Sequence, residues 1–203
     1  MKSCRLIPVV SLSDVNAGVK LGGILDRYGM EVVEVTFRTS YAAEGISRLK
    51  KRFPKLLVLA GTVLTPDQVD AALNAGAEGM VSPGLDPALV NFCQERNIPI
   101  FPGVCTPSEV QHALSLGLTK FKFFPAELSG GINMVNMLLG VYRMISLMPT
   151  GGINPGNLQN YLGIDRVLCC GATWLTPQAL MAVGDWAGIE QRVKEAAHSL
   201  EGR

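Results

Sequence analysis

The feature that most constrains the fold of this 203-residue chain is a regular alternation of short apolar runs and helical segments. The runs are rich in β-branched and aromatic side chains, which favour strands, and helical periodicity follows each of them. They cover residues 6–12, 31–37, 56–63, 79–83, 98–104, 120–125, 145–149 and 167–174. This alternation predicts a parallel sheet, because a helical crossover returns the chain to the same edge of the sheet.

The number of units decides between two parallel architectures. Eight β–α units favour a closed (β/α)8 TIM barrel, and an open doubly wound sheet is the alternative. Helix-start and helix-stop residues separate the runs. The starts are Ser13-Asp14, Thr65-Pro66, Asp86-Pro87, Thr106-Pro107 and Asn154-Pro155, and the stops are Gly76, Gly117 and Gly163. No linker or low-complexity tract divides the chain, so we expect residues 1–203 to form a single barrel domain.

Composition and charge exclude several classes of protein. The formal net charge is +1, and no basic block suggests binding to nucleic acid or to a membrane surface. No uncharged apolar run is long enough to cross a bilayer, and the first residues lack the features of a signal peptide. The five cysteines lack the paired spacing of a metal site. We therefore expect a cytoplasmic protein with reduced cysteines, no metal and no cofactor.

A lysine among phenylalanines is the residue most indicative of chemistry. Lys122 follows Phe121 and precedes Phe123 and Phe124 in the sixth run, so it occupies the middle of a predicted strand. Burial disfavours the charged ammonium form of lysine, and a neutral amine attacks a carbonyl to form a Schiff base. Two structural alternatives are a solvated edge strand and a buried lysine paired with a carboxylate.

Polar residues alternate with apolar ones at the end of the second run. Period-two alternation puts Glu34, Thr36 and Arg38 on one face. That face should point into the barrel near the carboxyl ends of the strands, where barrel active sites lie, and should converge with Lys122. Glu34 would supply a general acid and base, and the guanidinium of Arg38 would suit a substrate carboxylate. The alternative is an interior ion pair between Glu34 and Arg38.

Glycines and hydroxyl residues follow three further runs. Gly61 lets the backbone approach a ligand and the Thr62 hydroxyl can hydrogen-bond to it, although an ordinary Gly-Thr turn is the alternative. Glycine-rich loops after strands seven and eight are the usual phosphate site of a barrel, and they predict a site for an anionic group of the substrate. The residues of these loops are Gly151, Gly152, Gly171 and Thr173.

Seven short motifs follow one another in the order found in a known enzyme family. They are EVTFRT (34–39), AGTVL (60–64), SPG (82–84), FPGV (101–104), FKFFPAE (121–127), PTGGI (149–153) and GATW (171–174). On these motifs the chain resembles the 2-keto-3-deoxy-6-phosphogluconate (KDPG) aldolases, of the bifunctional type that also cleaves 4-hydroxy-2-oxoglutarate (KHG). The resemblance covers nearly the whole chain, and FKFFPAE is its most specific part.

The resemblance implies a homotrimeric class I lyase that needs no metal. KDPG would be cleaved to pyruvate and glyceraldehyde 3-phosphate, and KHG to pyruvate and glyoxylate. By their positions in the motifs, Lys122 would be the Schiff-base lysine and Glu34 the general acid and base. The residues implied to contact the pyruvate moiety are Arg38, Thr62 and Thr150, and those implied to hold the phosphate are Gly151, Gly152, Gly171 and Thr173.

Three other functions stay open at this point. An aldolase for the C4-epimeric galactonate analogue would use the same residues. A sugar-phosphate epimerase or isomerase would use the glycine loops but would not explain Lys122 among aromatic residues. A sugar-phosphate-binding protein without activity would not explain why Glu34 and Lys122 are both present.

Overall fold

The computed structural model describes residues 5–201 and shows a curled parallel sheet. The strands are β1 (Leu6–Val10), β2 (Val32–Thr36), β3 (Leu57–Gly61), β4 (Gly79–Val81), β5 (Ile100–Phe101), β6 (Gly103–Val104), β7 (Lys120–Phe123), β8 (Ser146–Pro149) and β9 (Cys170–Ala172). Each of the eight apolar runs contains a strand, so the strand predictions are confirmed.

The sheet closes on itself through two hydrogen-bonded arcs. One arc has the order β5-β4-β3-β2-β1-β9 and the other the order β6-β7-β8. The bridges Leu147–Val167 and Thr150–Gly171 join the second arc to the last barrel strand. All strand pairs are parallel. The (β/α)8 barrel is therefore confirmed, and the open doubly wound sheet is wrong.

The fifth barrel strand is interrupted at Pro102, which separates β5 from β6. Proline has no N–H group to donate to a strand ladder. The next residue, Gly103, has no room for a side chain, because a Cβ atom there would lie 2.1 Å from the carbonyl oxygen of Pro83. Because β5 pairs with β4 and β6 pairs with β7, the six-stranded arc ends and the three-stranded arc begins at this interruption.

Helices connect the strands around the outside of the barrel. Those described are α1 (Ala17–Arg27), α2 (Ala42–Arg52), α3 (Pro66–Ala75), α4 (Pro87–Gln94), α5 (Pro107–Ser115), α6 (Gly131–Val141), α7 (Leu158–Leu162), α8 (Gln178–Val183) and α9 (Trp186–Glu201), and a 3₁₀ turn covers Glu127–Ser129. Within residues 5–201, none of the helices has the length and apolar character needed to cross a membrane.

Side-chain caps explain where three helices begin. Thr65, Asp86 and Thr106 each accept a hydrogen bond from a backbone N–H in the first turn of α3, α4 and α5. Thr106 also forms a reciprocal capping box with Glu109. These three predicted starts are confirmed, and so is the end of α3 at Gly76, which adopts a left-handed φ of 99°.

The other two predicted helix starts differ from the structure in detail, whereas the other two predicted helix stops agree with it. The carboxylate of Asp14 accepts hydrogen bonds from the backbone N–H groups of Asn16 and Ala17, and α1 begins only at Ala17. Asn154 does not begin α7, because its backbone N–H donates to the side chain of Asn157 in a turn that precedes the helix. Gly163 ends α7, and Gly117 follows the C-cap of α5 with a left-handed φ of 77°, so both predicted helix stops are confirmed.

The alternation of side chains along the strands produces two apolar layers. Outward-facing residues such as Val33, Val35 and Phe123 pack under the helices. A smaller cluster fills the lower barrel interior, which leaves the interior above it for polar side chains. Its buried members are Ile7, Val32, Leu59, Val81, Met148 and Cys169, with Leu57 and Phe101 packed against them.

Candidate active site

A buried ion pair lies inside the barrel. Nζ of Lys122 on β7 donates a hydrogen bond of 2.9 Å to Oε1 of Glu34 on β2. The two residues are 4% and 0% exposed. The first alternative, a solvated edge strand, is therefore wrong. The second alternative, a buried lysine paired with a carboxylate, matches the structure. The same contact brings an amine and a carboxylate within direct proton-transfer distance.

The alternation along β7 explains why only one of its lysines is buried. Phe121 and Phe123 face the outer core, so Lys122 between them points inward. Lys120 shares the inward face but lies at the amino end of the strand, where it is exposed. The ring of Phe124 lies 5.2 Å from Nζ of Lys122, and its apolar surface adds to the dry surroundings of the amine.

Glycine on the neighbouring strand makes room for the carboxylate of Glu34. Gly61 on β3 pairs with Thr36 on β2, and a Cβ atom at position 61 would lie 2.3 Å from Oε1 of Glu34. The other carboxylate oxygen, Oε2, is buried and has no hydrogen-bond partner in the described part of the protein. A buried, unpaired carboxylate oxygen is costly, and it is a ready acceptor for a substrate hydroxyl or a water molecule.

Arg38 and Thr62 lie together at the mouth of the barrel. Nε of Arg38 donates a hydrogen bond of 3.2 Å to Oγ1 of Thr62. The expectation that Arg38 shares the interior face with Glu34 is wrong, because β2 ends at Thr36 and Arg38 is exposed in the following turn. The alternative ion pair between Glu34 and Arg38 is wrong as well, since Glu34 pairs with Lys122.

Thr62 itself has an unusual backbone. Its φ of 55° lies in the left-handed region that non-glycine residues rarely adopt. Such conformations cost free energy and concentrate at functional sites. The conformation places the Thr62 hydroxyl at the barrel mouth beside a guanidinium, which makes this an arrangement of donors suited to an anion.

Thr150 and Gly171 lie next to each other where the two predicted anion loops begin. Thr150 is buried at the end of β8, and a Cβ atom at position 171 would lie 2.4 Å from its Oγ1. Glycine at position 171 therefore makes room for the Thr150 hydroxyl inside the barrel. Thr173 lies two residues farther along, exposed in the bend after β9.

The loop after β8 is fixed by local contacts. Gly151 and Gly152 both have left-handed φ values, of 98° and 85°. The carbonyl oxygen of Gly152 accepts hydrogen bonds of 3.1 Å from the side-chain amides of Asn154 and Asn157. Because α7 starts only at Leu158, the expectation that the glycines lie at a helix start is wrong. Their contribution is the tight turn of the loop, which their left-handed φ values allow.

Sequence reasoning gave no role to Glu127 or Tyr161, although both contact the loop region. The hydroxyl of Tyr161 on α7 donates to Oε1 of Glu127, and the backbone N–H of Glu127 donates to the carbonyl oxygen of Gly151. Glu127 shares the FKFFPAE motif with Lys122, which is a signal of function, but nothing in the sequence pairs it with Tyr161. In residues 5–201, no three His, Cys, Asp or Glu side chains are grouped as metal ligands would be.

Known proteins resemble this chain over nearly its whole length. A sequence model of the KDPG and KHG aldolases matches residues 1–192. The 2-dehydro-3-deoxy-phosphogluconate aldolase of Haemophilus influenzae is 40% identical, with 96% of this chain and 92% of the relative covered. The KHG/KDPG aldolase of Escherichia coli K12 is 38% identical, with coverage of 97% and 92%.

Solved structures show the same likeness. The KDPG aldolase of Legionella pneumophila, captured with pyruvate as a covalent carbinolamine intermediate, has a TM-score of 0.90 and 36% identity, with 95% of this chain and 94% of the other covered. The KDPG aldolase of Zymomonas mobilis ZM4 with 3-phosphoglycerate has a TM-score of 0.88 and 37% identity, with coverage of 96% and 91%.

Replacement of Gly61 by alanine tests how closely the strands surround the carboxylate. The new methyl group would overlap Oε1 of Glu34, so we expect Gly61→Ala to lower the free energy of unfolding by about 1–3 kcal/mol in urea titrations. Gly84→Ala is the control, because a Cβ atom at position 84 meets no atom within 4 Å. A Glu34→Ala background should relieve the penalty, and an equal penalty in both backgrounds would contradict the overlap.

Proposed function

The chain belongs to the KDPG and KHG aldolase family, and we propose that it cleaves KDPG to pyruvate and glyceraldehyde 3-phosphate through a Schiff base on Lys122. The observation that carries the proposal is the buried 2.9 Å contact between Nζ of Lys122 and Oε1 of Glu34. The covalent pyruvate carbinolamine of the Legionella enzyme supports the same chemistry. The name of the Escherichia coli relative supports cleavage of KHG to pyruvate and glyoxylate as a second activity.

Lys122 acts as the nucleophile after it has lost a proton. Glu34 is the base within reach, because its Oε1 already accepts a hydrogen bond from Nζ. The neutral amine attacks the substrate ketone to form a C–N bond, and the carbonyl oxygen takes up a proton to give a carbinolamine. Protonation and loss of this hydroxyl as water produce the iminium ion.

The iminium ion makes the carbon–carbon cleavage possible. A base removes the proton of the C4 hydroxyl, the C3–C4 bond breaks, and its electron pair flows into the iminium nitrogen to form an enamine while the aldehyde leaves. Protonation at C3 and hydrolysis then release pyruvate and regenerate the amine of Lys122. We assign each of these proton transfers to Glu34, whose Oε2 has no protein partner in the described structure.

The two ends of the substrate would bind different parts of the barrel mouth. We assign the pyruvate carboxylate to Arg38 and Thr62, whose contact at the mouth offers a guanidinium and a hydroxyl to an anion. The Thr150 hydroxyl, buried on the barrel side, would contact the pyruvate moiety. We assign the phosphate to the loops with Gly151, Gly152, Gly171 and Thr173.

We also propose a homotrimer, whose subunit number comes from the family resemblance alone. An apolar surface on and around α6 supports association. Val141 is 64% and Met144 62% exposed, and Leu128 and Met137 are exposed nearby. Large exposed apolar residues in a group mark contact surfaces between proteins.

Free, buried thiols such as Cys93 and Cys170 support the proposal that the enzyme works in the reducing cytoplasm.

Reductive trapping tests the nucleophile. Treatment of the wild-type protein with pyruvate and borohydride should add one covalent pyruvate unit at Lys122, detected by peptide mass spectrometry. Lys122→Arg keeps the charge but cannot form an imine, so we expect neither trapping nor cleavage. Lys120→Arg is the matched control and should behave as wild type, because Lys120 is exposed at the other end of the strand. Cleavage by folded Lys122→Arg at a rate close to wild type would overturn the assignment.

Replacement of Glu34 by glutamine separates proton transfer from binding. The amide oxygen can still accept the hydrogen bond from Lys122, but the side chain can no longer exchange protons. We expect kcat for KDPG cleavage to fall by about 10²–10⁴-fold, with a much smaller change in KM. A change confined to KM would make Glu34 a binding or structural residue.

Sedimentation tests the assembly. We expect the wild-type protein at micromolar concentration to sediment as three 21.7 kDa subunits, and a charge in the α6 surface to weaken the contact. Val141→Asp should therefore shift the equilibrium to smaller species. Val183→Asp is the control, because Val183 is 78% exposed on α8. A wild-type protein that sediments only as a 21.7 kDa species would refute the trimer.

A further inference from the structure

The side chain of Glu127 lies between the nucleophile strand and the glycine-rich loop. Glu127 begins the 3₁₀ turn that follows β7, and its backbone N–H donates a 3.0 Å hydrogen bond to the carbonyl oxygen of Gly151. The preceding residue does the same one position earlier, where the Ala126 N–H donates to the Thr150 carbonyl oxygen at 2.8 Å. The loop after β7 is thus joined to the loop after β8 at the proposed phosphate site.

Glu127 is exposed, but its side chain contacts a glycine on each of two sides. A Cβ atom at position 152 would lie 2.5 Å from Cγ and 2.6 Å from Cβ of Glu127, so the methylene groups of Glu127 press against Gly152. A Cβ atom at position 131 would lie 3.3 Å from both Oε1 of Glu127 and the hydroxyl oxygen of Tyr161. Two glycines therefore line the path of this side chain from the loop to its hydrogen-bond partner.

Tyr161 holds the far end of the Glu127 side chain. It is completely buried in the outer core between barrel and helices, and its hydroxyl donates to Oε1 of Glu127. Burial and the hydrogen bond to Glu127 raise the pKa of Tyr161 well above its usual range, so the phenol keeps its proton and remains a donor. Because Tyr161 belongs to the outer core, it draws the carboxylate away from the barrel interior where Lys122 lies.

The negative charge of Glu127 matters because the adjacent loop at Gly151 and Gly152 is the proposed phosphate site. None of the cations in the described structure forms an ion pair with Glu127. A carboxylate beside an anion site repels the anion, and the repulsion increases as the distance falls. A phosphate, with up to two charges, is repelled more than the single carboxylate at the corresponding end of KHG.

We propose that Glu127 and Tyr161 determine the specificity of the enzyme for the distal anion of its substrate. Tyr161 is a positioning residue that keeps the carboxylate turned toward α7, and Glu127 contributes the negative charge that limits affinity for phosphate. The inference rests on the proposed function, because it requires the phosphate of KDPG to bind at Gly151 and Gly152. Neither residue touches the reacting atoms.

Two single substitutions separate charge from packing. Tyr161→Phe removes the hydrogen bond and frees the carboxylate beside the loop, so we expect KM for KDPG to rise roughly twofold to tenfold. Glu127→Gln keeps an acceptor for the Tyr161 hydroxyl and removes the charge, so KM for KDPG should fall by a similar factor. Both variants should change KM for KHG less, and the double variant Tyr161→Phe/Glu127→Gln should lose most of the increase caused by Tyr161→Phe.

A different result is expected if Glu127 and Tyr161 only hold the loop in place. KM would then rise, or kcat fall, in both single variants and for both substrates, and the double variant would be the worst of the three. If KM for KDPG moves in the same direction in Tyr161→Phe and Glu127→Gln, or stays unchanged in Glu127→Gln, the inference is wrong. Glu127→Gln alone suffices should Tyr161→Phe fail to fold, because it leaves the buried tyrosine in place.

Borohydride trapping of pyruvate distinguishes a failure of this inference from a failure of the proposed function. Pyruvate has no distal anion, so trapping at Lys122 should proceed in the wild type and in all three variants. A wild-type protein that neither traps pyruvate nor cleaves KDPG overturns the proposed function and the inference with it. A wild-type protein that does both, with variants that fail the KM test, overturns the inference alone.

Discussion

The rest of the active site depends on the hydrogen-bonded ion pair between Lys122 and Glu34. Two buried charges are costly to take out of water, and a good mutual contact repays much of that cost. The barrel supplies the contact, because β2 and β7 belong to different arcs of the sheet and direct these side chains to the same interior point. Below them the small apolar cluster closes the interior, so the pair is reached from the carboxyl ends of the strands.

Glycines in and around the barrel mouth make space for the polar side chains of the site. Side chains at positions 61 and 171 would collide with Glu34 and Thr150 respectively, and one at position 152 would collide with Glu127. Each glycine therefore stands opposite a polar side chain on a neighbouring strand or loop. Each polar side chain therefore depends on its glycine, because a larger residue at the glycine position would displace it.

Much of this arrangement follows from local sequence patterns. Period-two alternation correctly directs Lys122 and Glu34 inward, because it is a property of single strands, and the spacing of apolar runs predicts the barrel. The exposed position of Arg38 could not be predicted, because alternation ends where β2 ends, and no residue marks that point. The interruption at Pro102 has a local signal, because proline cannot donate to a strand ladder. The bond between Tyr161 and Glu127 depends instead on a contact between distant parts of the chain, which a single sequence does not reveal.

The interruption at Pro102 has a mechanical consequence for the reaction. The six-stranded arc carries Glu34, and the three-stranded arc carries Lys122. The arcs meet at two isolated bridges on one side and at the break in the fifth barrel strand at Pro102 on the other. Local opening of the barrel should concentrate at these two seams, because the continuous strand ladders are interrupted there. Motion at the seams would change the distance between the amine of Lys122 and the carboxylate of Glu34, because the seams lie between the arcs that carry them.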